Sequence, residues 1–449
     1  MQTNFTLRQL HDPDIVAADD ILRRCVHCGF CTATCPTYVL GGDERDSPRG
    51  RIYLMKEMFE SGEVTEPVVT HLDRCLTCLS CMTTCPSGVD YMHLVDLARA
   101  RINDTVKRPW HERLKRWALA RALPDPRRFR FLLLAGWMAK PLTPVLKTLN
   151  LKGAVAALDM VPRSFPRLTV PVRRDADAAH RVRVARVAML RGCVQENLAP
   201  SINDAAVRLL ERHGVEVVFI DDQFCCGALE HHLGRDEGAL EKARRNIDAW
   251  SEQMRERPLD AILVTASGCG TMLKDYGTLL AGDQGYAERA AEVAYLAQDI
   301  SEFMVKVGLA APSVWTNLTV AYQSPCSLQH GQGIDAEPRE LLTQAGFRVV
   351  DLPENHLCCG SAGTYSLMQP EISAELRDRK CGHIASVAPD VVATGNIGCL
   401  SQLMQGSSAP IVHTVELLDW ATGGPCPGNI EQLKGRAKPV KSLLQSESA

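Results

Sequence analysis

The chain has 449 residues, 45% hydrophobic and 23% charged, the balance of an ordinary globular protein of several domains. A formal net charge of -3 gives no case for a nucleic-acid partner. The longest strongly apolar run, Phe131 to Ala139, is far short of the roughly 20 residues that cross a bilayer.

The opening MQTNFTLRQLHDPDIVAADD has early charges and no apolar stretch of signal-peptide type, so a cytoplasmic location is expected. In a reducing compartment, eighteen cysteines point to metal ligands or redox groups rather than disulfides. Residues 1–104 hold eight of them. A predicted helix at Asp20 to Arg24 leads into CVHCGFCTATCP (Cys25 to Pro36), and another at Val68 to Arg74 leads into CLTCLSCMTTCP (Cys75 to Pro86). A third, at Met92 to Lys107, follows.

Both runs fit C-x2-C-x2-C-x3-C-P. Structural zinc usually takes two separated cysteine pairs. Four thiols in one short run, the fourth set apart and followed by proline, is instead the pattern of two-cluster ferredoxins, whose fourth cysteine ligates the other cluster. The expected fold is an α-helical ferredoxin-like domain with two [4Fe–4S] clusters. Cys25, Cys28, Cys31 and Cys85 would hold one, and Cys75, Cys78, Cys81 and Cys35 the other. Gly29 and Ser80 are the small residues expected to let each loop wrap its cluster.

Residues 105–182 read as a connector. Between 107 and 148 there are eleven Lys and Arg against two acidic residues, Glu112 and Asp125, with Trp110, Trp117, Phe129, Phe131 and Trp137 interleaved. Packing between domains fits this pattern, and so does contact with an anionic membrane surface or with a partner subunit.

From 183 to 422 the chain repeats itself. RVARVAMLRGC ends at Cys193, a helix (NDAAVRLLERHG) and a strand (VEVVFI) lead to Cys225, Cys226 and Gly227, and AILVTASGC ends at Cys269 after a further helix. The second copy has LTVAYQSPC ending at Cys326, FRVVDL before Cys358, Cys359 and Gly360, and DVVATGNIGC ending at Cys399. From single cysteine to pair is 32 residues in both copies, and from pair to last cysteine 43 and 40. Alternating strands and helices predict two α/β units, 183–315 and 316–422, with parallel sheets. In such sheets ligands bind beyond the carboxyl ends of the strands, where each cysteine falls. The tail from Gly423 is expected to be flexible.

Buried thiols would not explain cysteines recurring at matched spacing, and vicinal disulfides are strained. Iron–sulfur ligation by Cys193, Cys225, Cys226 and Cys269, and by Cys326, Cys358, Cys359 and Cys399, is the preferred reading. His231, His232, His330 and His356 lie near these cysteines, as ordinary loop residues or as groups that tune a cluster or relay protons. Cys381 and Cys426 fall outside the repeat and are read as non-ligands. No G-x-G-x-x-G follows a strand, so a flavin or nicotinamide site of that kind is not indicated.

These motifs in this order resemble the iron–sulfur subunits of flavin-dependent 2-hydroxyacid and glycerol-3-phosphate oxidising complexes. CVHCGFCTATCPTY, GDERDSPRGRIYLMKEM, LDRCLTCLSCMTTCPSGV, TASGCG and HLCCGSAGTY are most similar to the glycolate oxidase type, over roughly residues 18–420. The resemblance implies FAD-containing partner subunits that oxidise glycolate to glyoxylate, with electrons passed on to a quinone-type membrane acceptor. Equivalent subunits of lactate or glycerol-3-phosphate dehydrogenases are the alternative. A thiol–disulfide reductase like heterodisulfide reductase is another, but its unit ends in C-x-x-C. Here the endings are Cys269-x-x-Met272 and Cys399-x-x-Gln402, four thiols per unit, which leaves one or two further clusters at the CCG units open.

Overall fold

Side-chain caps and apolar spacing set the N-terminal helices. The computed structural model describes residues 1–149, 151–159, 161 and 183–439. Helix α1 (Pro13–Arg24) starts where the Asp12 carboxylate accepts from the Asp14 N–H, and it buries Ile15, Ala18, Ile21 and Leu22 at helical spacing. The Ser47 hydroxyl starts α2 (Pro48–Ser61) by accepting from Gly50 N–H. Helices α3 (Glu66–Asp73) and α4 (Tyr91–Thr105) complete the group, and Met55, Leu72, Leu94 and Val95 form the centre of its core. The connector contains α5 (Trp110–Ala122) and α6 (Pro126–Ala139), joined by a short proline-bearing turn. Phe129 and Leu133 of α6 are buried beside Val194 and Leu198 of the next region.

Two four-stranded parallel sheets follow among the described residues. The first contains β1 (Ala185–Met189), β2 (Val215–Val218), β3 (Ala261–Val264) and β4 (Ala297–Asp299), in the order β2-β1-β3-β4. A short strand, β5 (Val314–Thr316), leads to the second sheet. This contains β6 (Thr319–Gln323), β7 (Arg348–Asp351), β8 (Val391–Thr394) and β9 (Ile411–His413), in the order β7-β6-β8-β9. The inner strands read as nearly unbroken apolar runs because helices cover both faces. Val187 stands opposite Val217 on one side and Ala261 on the other; Ala321 stands likewise between Val350 and Val392.

The reversal of strand order between β1 and β3, and between β6 and β8, opens a crevice at the carboxyl edge of each sheet. Helices α7 (Pro200–Arg212), α8 (Asp236–Glu256) and α9 (Ser267–Lys274) belong to the first unit. Helices α10 (Ala336–Gln344), α11 (Pro370–Val387), α12 (Ile397–Leu403) and α13 (Thr414–Ala421) belong to the second. The units pack through α7 and α13: Arg208 pairs with the fully buried Asp419 at 2.6 Å, joined by Arg212. One core runs through both units, from Val187 and Leu209 to Leu341 and Trp420.

The segment after Gly423 differs from expectation as far as Pro439. Ile430 is fully buried, and β10 (Ala437–Pro439) pairs antiparallel with β5. The sheet-edge hydrogen bonds and one apolar anchor hold a stretch whose Gly/Pro composition suggests a loose tail. Residues 440–449 lie outside the described residues. Among those described, no helix is long and apolar enough to cross a membrane.

Candidate functional site

Both N-terminal cysteine runs make the same turn. The residues flanking the middle cysteine are left-handed: His27 (φ 56°) and Gly29 (83°) in one, Thr77 (51°) and Leu79 (62°) in the other. Leu79 therefore takes the place that Gly29 fills, whereas the sequence pointed to Ser80. A non-glycine residue here costs about 1–3 kcal/mol, a strain characteristic of ligand sites. Alternating backbone handedness turns N–H groups inward and forms a concavity suited to an anionic group. The Thr77 N–H donates to Cys75 Sγ at 3.5 Å.

Cys25, Cys28, Cys31 and Cys85 surround one small cavity of about 30 Å³, which Cys81 also touches. Cys35, Cys75, Cys78 and Cys81 surround another of about 20 Å³. The fourth cysteine of each run thus lies among the first three of the other. Burial pushes the Cys31 thiol up to about 11, with neighbouring Cys25 and Cys85 adding to the effect. Cys78 and Cys81 are also raised well above the ordinary range, first by burial, then by Cys326 and Cys35 for the one and by Cys78 and Cys75 for the other. Thiols so crowded resist ionising together unless a cation compensates them, and that is the setting in which a metal cluster fits.

A buried polar network supports the second set. Arg51, 1% exposed, donates from Nη1 to Cys35 Sγ at 3.7 Å and from Nε to the His71 carbonyl at 2.7 Å. Its Nη2 reaches Asp46 at 3.2 Å, and Asp46 in turn holds His71 Nδ1 at 2.7 Å. The Tyr91 hydroxyl donates to Cys75 Sγ at 3.6 Å. Burial works to raise the Cys75 thiol, but the Arg51 and Arg99 guanidinium groups overcome it and hold its pKa below the usual value. None of these partners was legible in the cysteine spacing. Their signal lies in polar residues at inward positions: Asp46 just before α2, Arg51 in α2, His71 in α3, and Tyr91 and Arg99 in α4.

Each α/β unit gathers its four cysteines at the sheet's carboxyl edge. Cys225 comes seven residues after β2 and Cys358 seven after β7; Cys269 and Cys399 each come five after the third strand of their sheet. Cys193 Sγ lies 3.4 Å from Cys225 Sγ, and Cys326 Sγ 3.7 Å from Cys358 Sγ. Hydrogen bonds from Cys193 and Cys226 hold the Cys225 thiol well below the ordinary range. Cys359 is held low in the same way by Cys358 and Cys399. All eight sulfur-bearing residues line one cavity of about 450 Å³, walled on the far side by Leu119, Phe129 and Leu133 of the connector.

The N-terminal region meets the two units differently. Leu76 and Cys78 share an apolar cluster with Cys358, Tyr365 and Leu376, and Cys326 packs against it. Toward the first unit the contacts are ionic: His93 bridges Asp90 at 2.6 Å and Asp275 at 2.9 Å, and His231 bridges Asp236 at 2.8 Å and Asp96 at 3.3 Å. His231 is thus a structural bridge. Burial works against its charged form, yet the carboxylates hold its pKa at about 10. His232 lines the large cavity, and burial pushes it down to about 4. His330 Nε2 donates to the His356 carbonyl (2.9 Å) and its Nδ1 shares a hydrogen bond with the Thr83 hydroxyl (2.8 Å), which fixes its ring at the junction. Cys381 faces the Leu403 carbonyl at 3.9 Å, and Cys426 those of Pro427 and Ile430 at 3.8 Å.

Residues 24–89 match the 4Fe-4S dicluster domain family, and residues 187–274 and 320–404 match a family described as cysteine-rich domain. The chain is 42% identical over 421 residues to the glycolate oxidase iron-sulfur subunit of Escherichia coli (strain K12), covering 94% of this chain and 99% of that one. It is 32% identical over 424 residues to the probable glycolate oxidase iron-sulfur subunit of Bacillus subtilis (strain 168), covering 90% and 94%. Lactate utilization protein A of Oceanobacillus iheyensis is 27% identical over 241 residues, 52% of this chain and 96% of that one. A crystal structure of a hypothetical protein from Helicobacter pylori superposes with a TM-score of 0.51 at 10% identity, over 95% of this chain and 74% of that one, a likeness of fold. The chain binds iron–sulfur cofactors and belongs to the family of glycolate oxidase iron–sulfur subunits.

Proposed function

We propose that the chain is the electron-relay subunit of a flavin-dependent glycolate oxidase complex on the cytoplasmic side of a membrane. FAD-bearing partner subunits would oxidise glycolate to glyoxylate, removing two electrons and two protons. A quinone-type acceptor would take up two electrons and two protons as quinol.

Cys25, Cys28, Cys31 and Cys85 would hold one [4Fe–4S] cluster, and Cys75, Cys78, Cys81 and Cys35 the second. Cys193, Cys225, Cys226 and Cys269, and Cys326, Cys358, Cys359 and Cys399, would hold one further cluster each. When bound, such clusters supply one-electron uptake and release at nearly fixed geometry. The chain's own residues supply spacing, burial and charge. Arg51 and Arg99 stabilise negative charge at Cys75, and Tyr91 donates a hydrogen bond to the same sulfur.

The observation that carries this reading is the graded succession of thiol sets. Cys28 of the first set is exposed, beside exposed Val26 and Phe30. Cys81 touches both N-terminal sites, and Cys78 packs beside the thiols of the second α/β unit. A partner's electrons can therefore enter at the surface and move inward through neighbouring sites. Four thiols per unit, against five in the heterodisulfide-reductase pattern, weigh against sulfur-substrate chemistry at these units.

Anaerobic purification with iron and sulfide analysis and EPR tests the ligand sets. Addition of the flavoprotein with glycolate is expected to reduce the clusters, and lactate is expected not to. Iron-free, colourless protein after anaerobic reconstitution would overturn the relay itself, whereas preferential reduction by lactate would overturn only the substrate.

A further inference from the structure

Helices α5 and α6 are apolar on two faces. Leu119 and Leu123, with Phe129, Leu133 and Gly136, line the thiol cavity. The opposite face of α5 shows Trp110 (75% exposed), Leu114 (54%) and Trp117 (53%), at steps of four and three residues. On α6 the exposed stripe is Phe131 (70%), Leu134 and Met138 (68%), with Trp137 alongside. Leu142, Val145, Leu149 and Leu151, next along the chain, are exposed as well. Of the twenty-two large hydrophobic side chains exposed among the described residues, twelve lie between 110 and 151.

Positive charge borders this stripe. Lys107, Arg113, Arg121, Arg127 and Arg128 are exposed. Of the two acidic residues, Glu112 is taken up by Arg108 and Arg116; Asp125 accepts from the first backbone N–H groups of α6 and pairs with Arg128 at 3.5 Å, which leaves Lys107, Arg113, Arg121 and Arg127 as the bordering charge. The helices are 13 and 14 residues long, too short to span a bilayer and long enough to lie within its interface.

From this we infer that the α5–α6 face is a docking surface for an anionic lipid bilayer, lying in the headgroup plane with its indoles and aliphatic chains in the acyl boundary. The charge decides the occupant. Basic residues near an anionic leaflet contribute about 1 kcal/mol each, and Trp with Leu and Phe is the apolar complement that interfacial helices use. The inference rests on the membrane-acceptor reading above. It adds where the membrane lies: docked in this way, the bilayer covers the outer side of the two helices whose inner side walls the thiol cavity.

The test is co-sedimentation of the full, iron-loaded chain with phosphatidylcholine vesicles, with and without phosphatidylglycerol, at low and high salt. Binding is expected only to the anionic vesicles, weakened by salt. Arg113→Glu with Arg121→Glu and Arg127→Glu is expected to weaken it at least about tenfold. Trp117→Glu with Phe131→Glu is expected to abolish it. Unchanged iron content and circular dichroism exclude misfolding, and the three exposed arginine changes serve if the aromatic variant is unstable. Failure to bind anionic vesicles, or equal binding to neutral ones, overturns the inference. So does a variant that loses the flavoprotein in pull-down while it binds vesicles like wild type. If the wild-type chain binds no anionic vesicles while glycolate still reduces its clusters through the flavoprotein, the docking surface fails and the relay stands.

Discussion

The two α/β units share strand order, the 32-residue step from single cysteine to pair and a glycine after each pair, yet their thiols sit in different electrostatic surroundings. Gly227 approaches the Ala239 backbone of α8, and Gly360 approaches that of Ser373 in α11. Seven residues beyond these helix contacts stand Asn246 and Lys380, so the two occupy the same place in the repeat. Asn246 is neutral and donates to the Cys225 carbonyl at 3.2 Å. Lys380, 2% exposed, donates to the Glu354 carbonyl at 2.6 Å and acts on the thiols of Cys359, Cys358 and Cys399. The carboxylate of Glu354, which also acts on Lys380, is already held by Arg379 and His383. The first unit's Lys242 is instead matched by Glu230. A duplicated scaffold has thus kept its geometry and changed its charge, and the charged copy is the one that touches Cys78 of the N-terminal region.

Removing ligands would break the comparison most severely. Cys226→Ser and Cys359→Ser are each expected to lose about four irons per chain and a separate EPR signal. Iron content unchanged in one variant would show that unit to be empty and the pair to be functionally unequal.

Backbone substitutions come next. A Cβ at Gly360 (φ +88°) would lie 2.5 Å from the Ser373 carbonyl oxygen, and one at Gly227 (φ +92°) would lie 3.0 Å from that of Ala239. Gly360→Ala is expected to destabilise its unit by about 3 kcal/mol or more, and Gly227→Ala by about 2, from backbone strain plus overpacking. Thermal unfolding of the two variants would check the order.

The interfaces with the N-terminal region should respond differently to pH. His93 is held at about 10, chiefly by its hydrogen bonds to Asp275 and Asp90, against 6.5 in an unfolded chain. Its folded pKa is raised, so its contribution is fully present below about pH 6.5 and declines until it is lost as pH rises through about 10. Protection of amides at the α4 contact with the first unit, after division by the intrinsic exchange rate at each pH, is expected to fall between pH 7 and 9.5, and His93→Gln to flatten that trend. The contact between Cys78 and the second unit lacks such a histidine–carboxylate bridge among the described residues, and serves as the internal control.

The smallest effect is also the most specific. Replacing Lys380 by Met removes a buried positive charge and should lower the potential of a cluster held by the second unit by tens of millivolts, where about 59 mV is a tenfold change for one electron. Spectroelectrochemical titration would read it, with the N-terminal signals unshifted.

Much of this architecture is local information. The cysteine spacings, the inner strands and their order of appearance are visible because apolar runs and punctuating helices recur at fixed intervals. What escapes the sequence is contact between distant elements. His93 and Asp275 are 182 positions apart, and Thr83 and His330 are 247. Strands β4 and β9 have three residues each, too few for a periodic signal, and exist because a finished sheet edge accepts them. Pairing of β10 with β5 is likewise decided by the folded edge. Leu79 keeps a left-handed backbone that its own preference opposes, enforced by the cysteines around it. Lys380 reads as a surface lysine in a helix until α11 is packed against the thiols.

The crossed placement of Cys35 and Cys85 bears on how the molecule is put together. Neither N-terminal site is complete until residues 25–35 and 75–85 have met, so each cofactor's arrival would close a loop of 40 or more residues for both sites. Closing the first such loop carries most of the chain-entropy cost, and the second follows nearly free of it. Maturation of the pair would then be cooperative, and in a chain that loses one cluster to oxygen the other would still hold both runs together and keep the vacated site ready to refill.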